Sequence, residues 1–278
     1  MLFSIILCFS KSKPSFFISR LIARAVLCGV AIFTSISANA QDVSVATASN
    51  FSSTMAALID EFEATQPYQV KVSYGSSGKL YAQIKHGAPY DLFFSADQVL
   101  PKELARSGFA ATSDSYTYAI GQLVLWSTDP NMLDSKASRL LAGEYQHLAI
   151  ANPRFAPYGR AALEVLDGLG LTDKSRAKWV TGENVAQTYQ YVHSGNAEMG
   201  FIALAQLRTQ TAFGSLGAFS GSYWQVPNSL YQPIRQDVVI LKRASGSSGA
   251  KKFYNFVRSD LGVKIIEQYG YYVEAGSD

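Results

Sequence analysis

The chain has 278 residues with 24 Lys/Arg against 21 Asp/Glu, a formal net charge of +3. Lys11, Lys13, Arg20 and Arg24 and no acid fall in the first forty residues, so positions 41–278 carry a net charge of −1 and give no electrostatic support for a nucleic-acid partner. Cys8 and Cys28 are the two cysteines and also lie there, so the remaining 238 residues exclude disulfides, CxxC redox chemistry and thiolate metal sites, while His86, His147 and His193 have no metal-ligand spacing.

The basic residues are followed by the apolar run Ala25 to Ile36 and by Ser37-Ala38-Asn39-Ala40. That order predicts an export signal over residues 1–40, cleaved after Ala40 at an A-x-A site, and a periplasmic mature chain from Gln41. The apolar run is short for a membrane span, an uncleaved anchor being the alternative. Val43 to Ala48 suits a buried strand, and Met55, Leu58, Ile59 and Phe62 then mark a helix buried on one face, with Ser49 or Asn50 as its cap. Gln69 to Tyr74 alternates like a strand, runs into Gly75-Ser76-Ser77-Gly78, and is followed by helical Leu80 and Ile84. Asp91 to Asp97 gives a third strand, with Asp97 placed to cap a short helix around Val99 to Ala105.

Tyr118 to Trp126 is a long β-prone stretch, with a helix near Ala137 to Ala142 after it. Leu148 to Ala151 reads as a strand, Gly159 to Leu169 as a helix, and Trp179 to Val192 repeats the unit. Met199 to Ala203 is a further strand, with a helical segment Ala205 to Thr211 after it. Asp237 to Leu241 is the last strand, and Lys251 to Arg258 and Leu261 to Tyr269 close the chain as helices. This alternation predicts an α/β fold of mainly parallel sheet with helices on both faces. Tyr118 to Trp126 and Gln232 to Leu241 read as paired crossover strands joining two lobes. Lobe 1 is then 41–121 plus 237–278 and lobe 2 is 122–236, with one continuous sheet as the alternative.

Four strand-to-helix junctions carry small or hydroxylated residues and almost no charge: Ala48 to Phe51, Tyr74 to Gly78, Asn152 to Gly159, and Gly182 to Ala186. A helix start leaves backbone N–H groups unpaired and carries partial positive charge, so four starts aimed at one point make an anion cage. Sheets of this kind bind ligands at the carboxyl ends of their strands, where all four segments fall.

Together these segments, with Gly87-Ala-Pro-Tyr-Asp-Leu-Phe-Phe-Ser-Ala-Asp97 and the closing Tyr269-Gly-Tyr271, resemble the periplasmic molybdate-binding proteins that feed ABC importers, over essentially all of Gln41 to Val273. The resemblance implies a two-lobed type II periplasmic binding protein fold with the ligand in the interlobe cleft. It further implies a non-enzymatic, monomeric receptor for molybdate and tungstate, with no cofactor or cation site, working with a membrane permease. Carried over position by position, the ligand residues are Ser49 and Asn50, Ser77, Tyr158, and Val185 through its backbone N–H. Asn50 stands where many members have serine, and Ala203 where many have a tyrosine that donates its hydroxyl.

A fully deprotonated tetrahedral oxyanion only accepts hydrogen bonds, so a cage of donors suits molybdate, tungstate and sulfate. Hydrogen phosphate needs an acceptor for its proton; the one acid in the four segments is Glu183, which is expected to point to solvent. Arg154 and Arg160 flank the third segment and are read as solvated charges at the cleft rim. Sulfate or phosphate receptors remain alternatives. Ser76-Ser-Gly-Lys79 also fits the S-x-x-K of exported serine hydrolases, with Ser76 and Lys79 as the working pair, yet no K-T-G follows and Ser113-Asp114-Ser115 is not S-D-N.

Overall fold

The computed structural model describes residues 42–208 and 220–274. The expected export leader and its cleavage site lie outside the described residues, as do positions 209–211 of the helical segment expected after Ala203. In chain order the first part contains β1 (Val43–Ala48), α1 (Ser52–Thr65), β2 (Val70–Gly75), α2 (Ser77–Lys85), β3 (Leu92–Phe94), α3 (Val99–Arg106) and β4 (Ala110–Gly121). Then follow β5 (Leu123–Ser127), α4 (Ser138–Ala142), β6 (Leu148–Ala151), α5 (Pro157–Gly168), α6 (Thr172–Ser175), β7 (Trp179–Gly182), α7 (Val185–His193), β8 (Met199–Ala203), α8 (Leu204–Arg208) and β9 (Ser222–Gln225). Last come β10 (Ile234–Leu241), α9 (Ser248–Val257) and α10 (Asp260–Gln268). None of the helices among the described residues is long and apolar enough to cross a membrane.

The strands form two five-stranded sheets, ordered β2-β1-β3-β10-β4 and β7-β6-β8-β5-β9. In the first, β1 is parallel to β2 and β3, whereas β10 runs antiparallel to β3 and β4. The second repeats the scheme: β6 is parallel to β7 and β8, and β5 is antiparallel to β8 and β9. Each sheet is therefore mixed, where the sequence pattern suggests a mainly parallel one. The antiparallel share comes from the chain's passage between lobes: β4 ends at Gly121 and β5 starts two residues later in the other sheet, while β10 brings the chain back beside β4.

Helices cover both faces of each sheet because each carries one apolar stripe. Met55, Leu58 and Phe62 of α1 recur at helical spacing and bury against Val43, Val45, Phe94 and Phe253, with the Phe62 and Phe253 rings edge-on at 5.0 Å. Leu80 and Ile84 of α2 and Leu104 of α3 pack on the opposite face against Ala46, Phe93 and Val239. In the second lobe Val165 and Leu166 of α5 and Val185 and Val192 of α7 share a core with Leu148, Ile150, Phe201 and Leu125. Burying one such side chain stabilises by about 1.5–3 kcal/mol, so the two cores hold the strand ends firmly where the loops begin.

Candidate functional site

Each expected segment leaves the carboxyl end of a parallel strand and starts a helix. After β1 the chain makes a 3₁₀ turn at Ser49–Phe51, with Ser49 and Asn50 both buried. The Asn50 amide nitrogen donates to Gln236 Oε1 at 2.8 Å and Tyr271 Oη at 3.1 Å, and the Tyr271 hydroxyl donates back to the Asn50 carbonyl at 2.8 Å. Both amide protons are thereby used, so what Asn50 offers a ligand is its backbone N–H.

After β2, Ser76 stands at the N-cap of α2 without capping it, and its buried hydroxyl has no partner. The fully buried Ser77 accepts the Ala96 N–H on its Oγ at 2.9 Å. A serine that accepts in this way keeps its own proton for an oxyanion.

The third segment folds on Asn152, whose carbonyl accepts the N–H groups of Phe155 and Ala156 at 3.1 and 2.9 Å. Pro157 then opens α5, where its missing N–H is no loss, and Tyr158 follows with a backbone N–H that the helix does not use. The segment presses on the end of β6: a Cβ on Gly159 would lie 2.2 Å from the Ala151 carbonyl oxygen. Tyr158 is buried, and its hydroxyl points toward Gly121 on β4. Burial in the company of Tyr271, Tyr118 and Tyr231 keeps that phenol well above its ordinary pKa, hence neutral and able to donate.

In the fourth segment Asn184 caps α7 by accepting the Gln187 N–H at 3.0 Å, while the Gln187 side chain accepts the Glu183 N–H at 2.6 Å. This reciprocal box leaves the Val185 N–H at the first helical position free of the helix.

The four segments converge. The Gly78 N–H donates to the Phe155 carbonyl at 2.9 Å, Lys79 pairs with Glu183 at 2.8 Å, and α7 packs against the Ser49–Phe51 turn. Glu183 is exposed, and its carboxylate is held by Lys79. Lys79 thus pairs with Glu183, and the buried Ser76 hydroxyl makes no hydrogen bond to it or to any other group among the described residues, so no Ser76–Lys79 hydrogen bond is formed. Arg160 is partly solvated, as expected of a rim charge, and also crosses the cleft to pair with Asp97 at 2.5 Å. Asp97 also accepts the Leu100 N–H at 3.0 Å and so caps α3 as expected.

Among the described residues the buried charged side chains are Asp91, Asp97 and Asp237, with no Lys or Arg. Asp91 accepts the Ser44 N–H and pairs with Arg243, and Asp237 accepts from Thr117 and Gln98, so all three serve the fold. No group of three or more potential metal ligands occurs among the described residues. Ala203, the position without the tyrosine hydroxyl, is fully buried at the end of β8. Sequence reasoning missed Gln236, Tyr118 and Tyr271. A glutamine inside the apolar strand Ile234–Leu241 was the one signal available for them.

Two α/β lobes joined by crossover strands, with four helix starts meeting in the cleft, define a two-lobed solute-binding protein. The family model described as "Bacterial extracellular solute-binding protein" matches residues 43–272. The molybdate-binding protein ModA of Azotobacter vinelandii is 40% identical over 257 residues, covering 92% of this chain and 98% of the relative. The Rhodobacter capsulatus protein of the same name is 38% identical over 91% of this chain and 95% of its own length. The solved Azotobacter vinelandii periplasmic molybdate-binding protein superposes with a TM-score of 0.80 at 40% identity, over 84% of this chain and 100% of that one. The chain belongs to the bacterial extracellular solute-binding proteins, in the branch of these molybdate-binding relatives.

Proposed function

We propose that this protein is the substrate-binding component of an ABC importer, capturing molybdate, and tungstate with it, and presenting the anion to a membrane permease. One observation carries the choice of ligand: the four helix starts offer N–H groups and hydroxyls, and no cation is buried with them. A dianion with no proton of its own is the complement of such a cage. The proposed donors are the backbone N–H groups at Ser49, Asn50, Ser77, Tyr158 and Val185 together with the Ser49 and Ser77 hydroxyls. Each charge-assisted hydrogen bond contributes roughly 1.5–3 kcal/mol, and about six of them, less desolvation and closure costs, exceed the roughly 8 kcal/mol of micromolar binding.

The reading places the mature protein in the periplasm as a monomer, with residues 1–40 removed, lobe 1 formed by 41–121 and 237–278, and lobe 2 by 122–236. It assigns no catalytic step. The test is a thermal-shift comparison across molybdate, tungstate, sulfate and phosphate. A ligand at a hundred times its Kd stabilises by about 2.7 kcal/mol, so molybdate and tungstate are expected to raise the melting temperature most. A larger rise with phosphate overturns the choice of ligand, and a larger rise with sulfate narrows the protein to a sulfate receptor.

A further inference from the structure

Gln236 lies fully buried on β10, beside a register shift between Gln236 and Asp237 that turns its side chain toward the lobe junction. Its Oε1 accepts two hydrogen bonds, from Asn50 at 2.8 Å and from the Tyr118 hydroxyl at 3.0 Å. Its Nε2 and the Tyr158 hydroxyl are both buried and make no hydrogen bond of good geometry, although the tyrosine hydroxyl lies within interaction range of Gln236 and of Tyr271. These two atoms stand side by side: a Cβ built on Gly121 would be 2.0 Å from Tyr158 Oη and 2.7 Å from Gln236 Nε2. Gln236 belongs to the first sheet and Tyr158 to the helix that supplies the third segment from the second lobe. The absent side chain at Gly121 is what lets the tyrosine reach the crossover strands.

We propose that Gln236 is the positioning residue of the anion cage: its amide donates to the Tyr158 hydroxyl when the lobes close on the anion, tying the Asn50 turn of one lobe to the α5 start of the other. The inference rests on the oxyanion-receptor reading. The lobes are already joined here by the Gly78–Phe155 and Arg160–Asp97 contacts, and in this closed state the two atoms meet; when the lobes part, each returns to an unsatisfied state. One end of the Gln236 amide thus orients the first segment permanently, while the other end engages the third on closure.

The test is a double-mutant cycle on the full mature chain with Tyr158→Phe and Gln236→Met, read by calorimetry, stopped-flow dissociation and ligand-free melting. The anion is whichever of molybdate, tungstate, sulfate and phosphate the wild type binds most tightly. Tyr158→Phe, which removes no hydrogen bond within either lobe, is expected to weaken binding about tenfold through faster dissociation and to leave the ligand-free melting temperature unchanged. The double variant is expected to bind no more weakly than Gln236→Met alone, because the two changes remove one shared contact. Unchanged affinity in Tyr158→Phe, losses that multiply in the double variant, or an equal loss in the ligand-free melting temperature each overturns the inference while leaving the receptor reading intact. A wild type that binds none of the four anions overturns both.

Discussion

Ser77 shows how one side chain can serve the fold and the ligand together. Its Oγ accepts the Ala96 N–H at 2.9 Å in a fully buried setting, which leaves the hydroxyl proton available to another acceptor. Ser77→Ala therefore removes the acceptor of a buried N–H, left unsatisfied at about 1–3 kcal/mol, and with it the donor that the proposed cage assigns to this hydroxyl. The expected outcome is molybdate affinity lowered tenfold or more, together with a ligand-free melting temperature lower by several degrees, about 2–4 °C per kcal/mol in a chain of this size. Calorimetry and a thermal scan on the same preparation separate the two effects. A lower melting temperature with unchanged affinity would leave Ser77 as a structural residue alone. Asn50 makes the complementary case, since its side-chain amide is consumed by Gln236 and Tyr271, leaving the main-chain N–H as its part in the proposed cage.

At the scale of the element, the repeated unit of buried strand, short loop and helix was legible because each part has its own chemical mark. Apolar runs such as Val43–Ala48 and Leu148–Ala151 are buried strands, and Asp97 and Asn184 cap the helices that follow. Helix α5 starts two residues earlier than its apolar pattern suggests, at Pro157, because proline is preorganised for a first helical position that periodicity does not register. Strand direction was not legible, since an apolar run looks alike in parallel and antiparallel pairing, and β5 and β10 are therefore a surprise of topology. Nor were the long-range polar pairs, Asn50 with Gln236 and Arg160 with Asp97, which lie 186 and 63 positions apart. The start of α5 is also sensitive to a single added carbon. Gly159→Ala would put a Cβ 2.2 Å from the Ala151 carbonyl, with backbone on both sides and no flexible side chain to give way. The helix start must lift from β6, and both stability and anion affinity are expected to fall, by about 1–3 kcal/mol for the overpacking alone. Chemical denaturation with and without molybdate checks this, and wild-type values in both measurements would refute the close packing.

For the whole molecule, the proposed receptor role requires an equilibrium between open and closed lobes, which a ligand shifts only by binding one state better than the other. Three contacts span the cleft and are lost when the lobes part: Gly78 with Phe155, Lys79 with Glu183, and Arg160 with Asp97. The Lys79 and Glu183 side chains are nearly half exposed, so that pair contributes little. Asp97 is different, because its side chain is only 11% exposed, while that of Arg160 is 42% exposed. Arg160→Met removes the interlobe partner but leaves the Leu100 cap and the Ser95 hydroxyl on Asp97, so the first lobe keeps its fold. Because Arg160 is substantially solvated, the loss should be near 1 kcal/mol, a several-fold weakening of molybdate binding carried by faster dissociation. Small-angle scattering should show the wild type compacting as molybdate is added, with Arg160→Met reaching the same compact limit only at several-fold higher anion concentration. A variant that compacts at the wild-type concentration would show that the Asp97–Arg160 pair is indifferent to closure, and scattering that does not change in the wild type would refute the hinge itself.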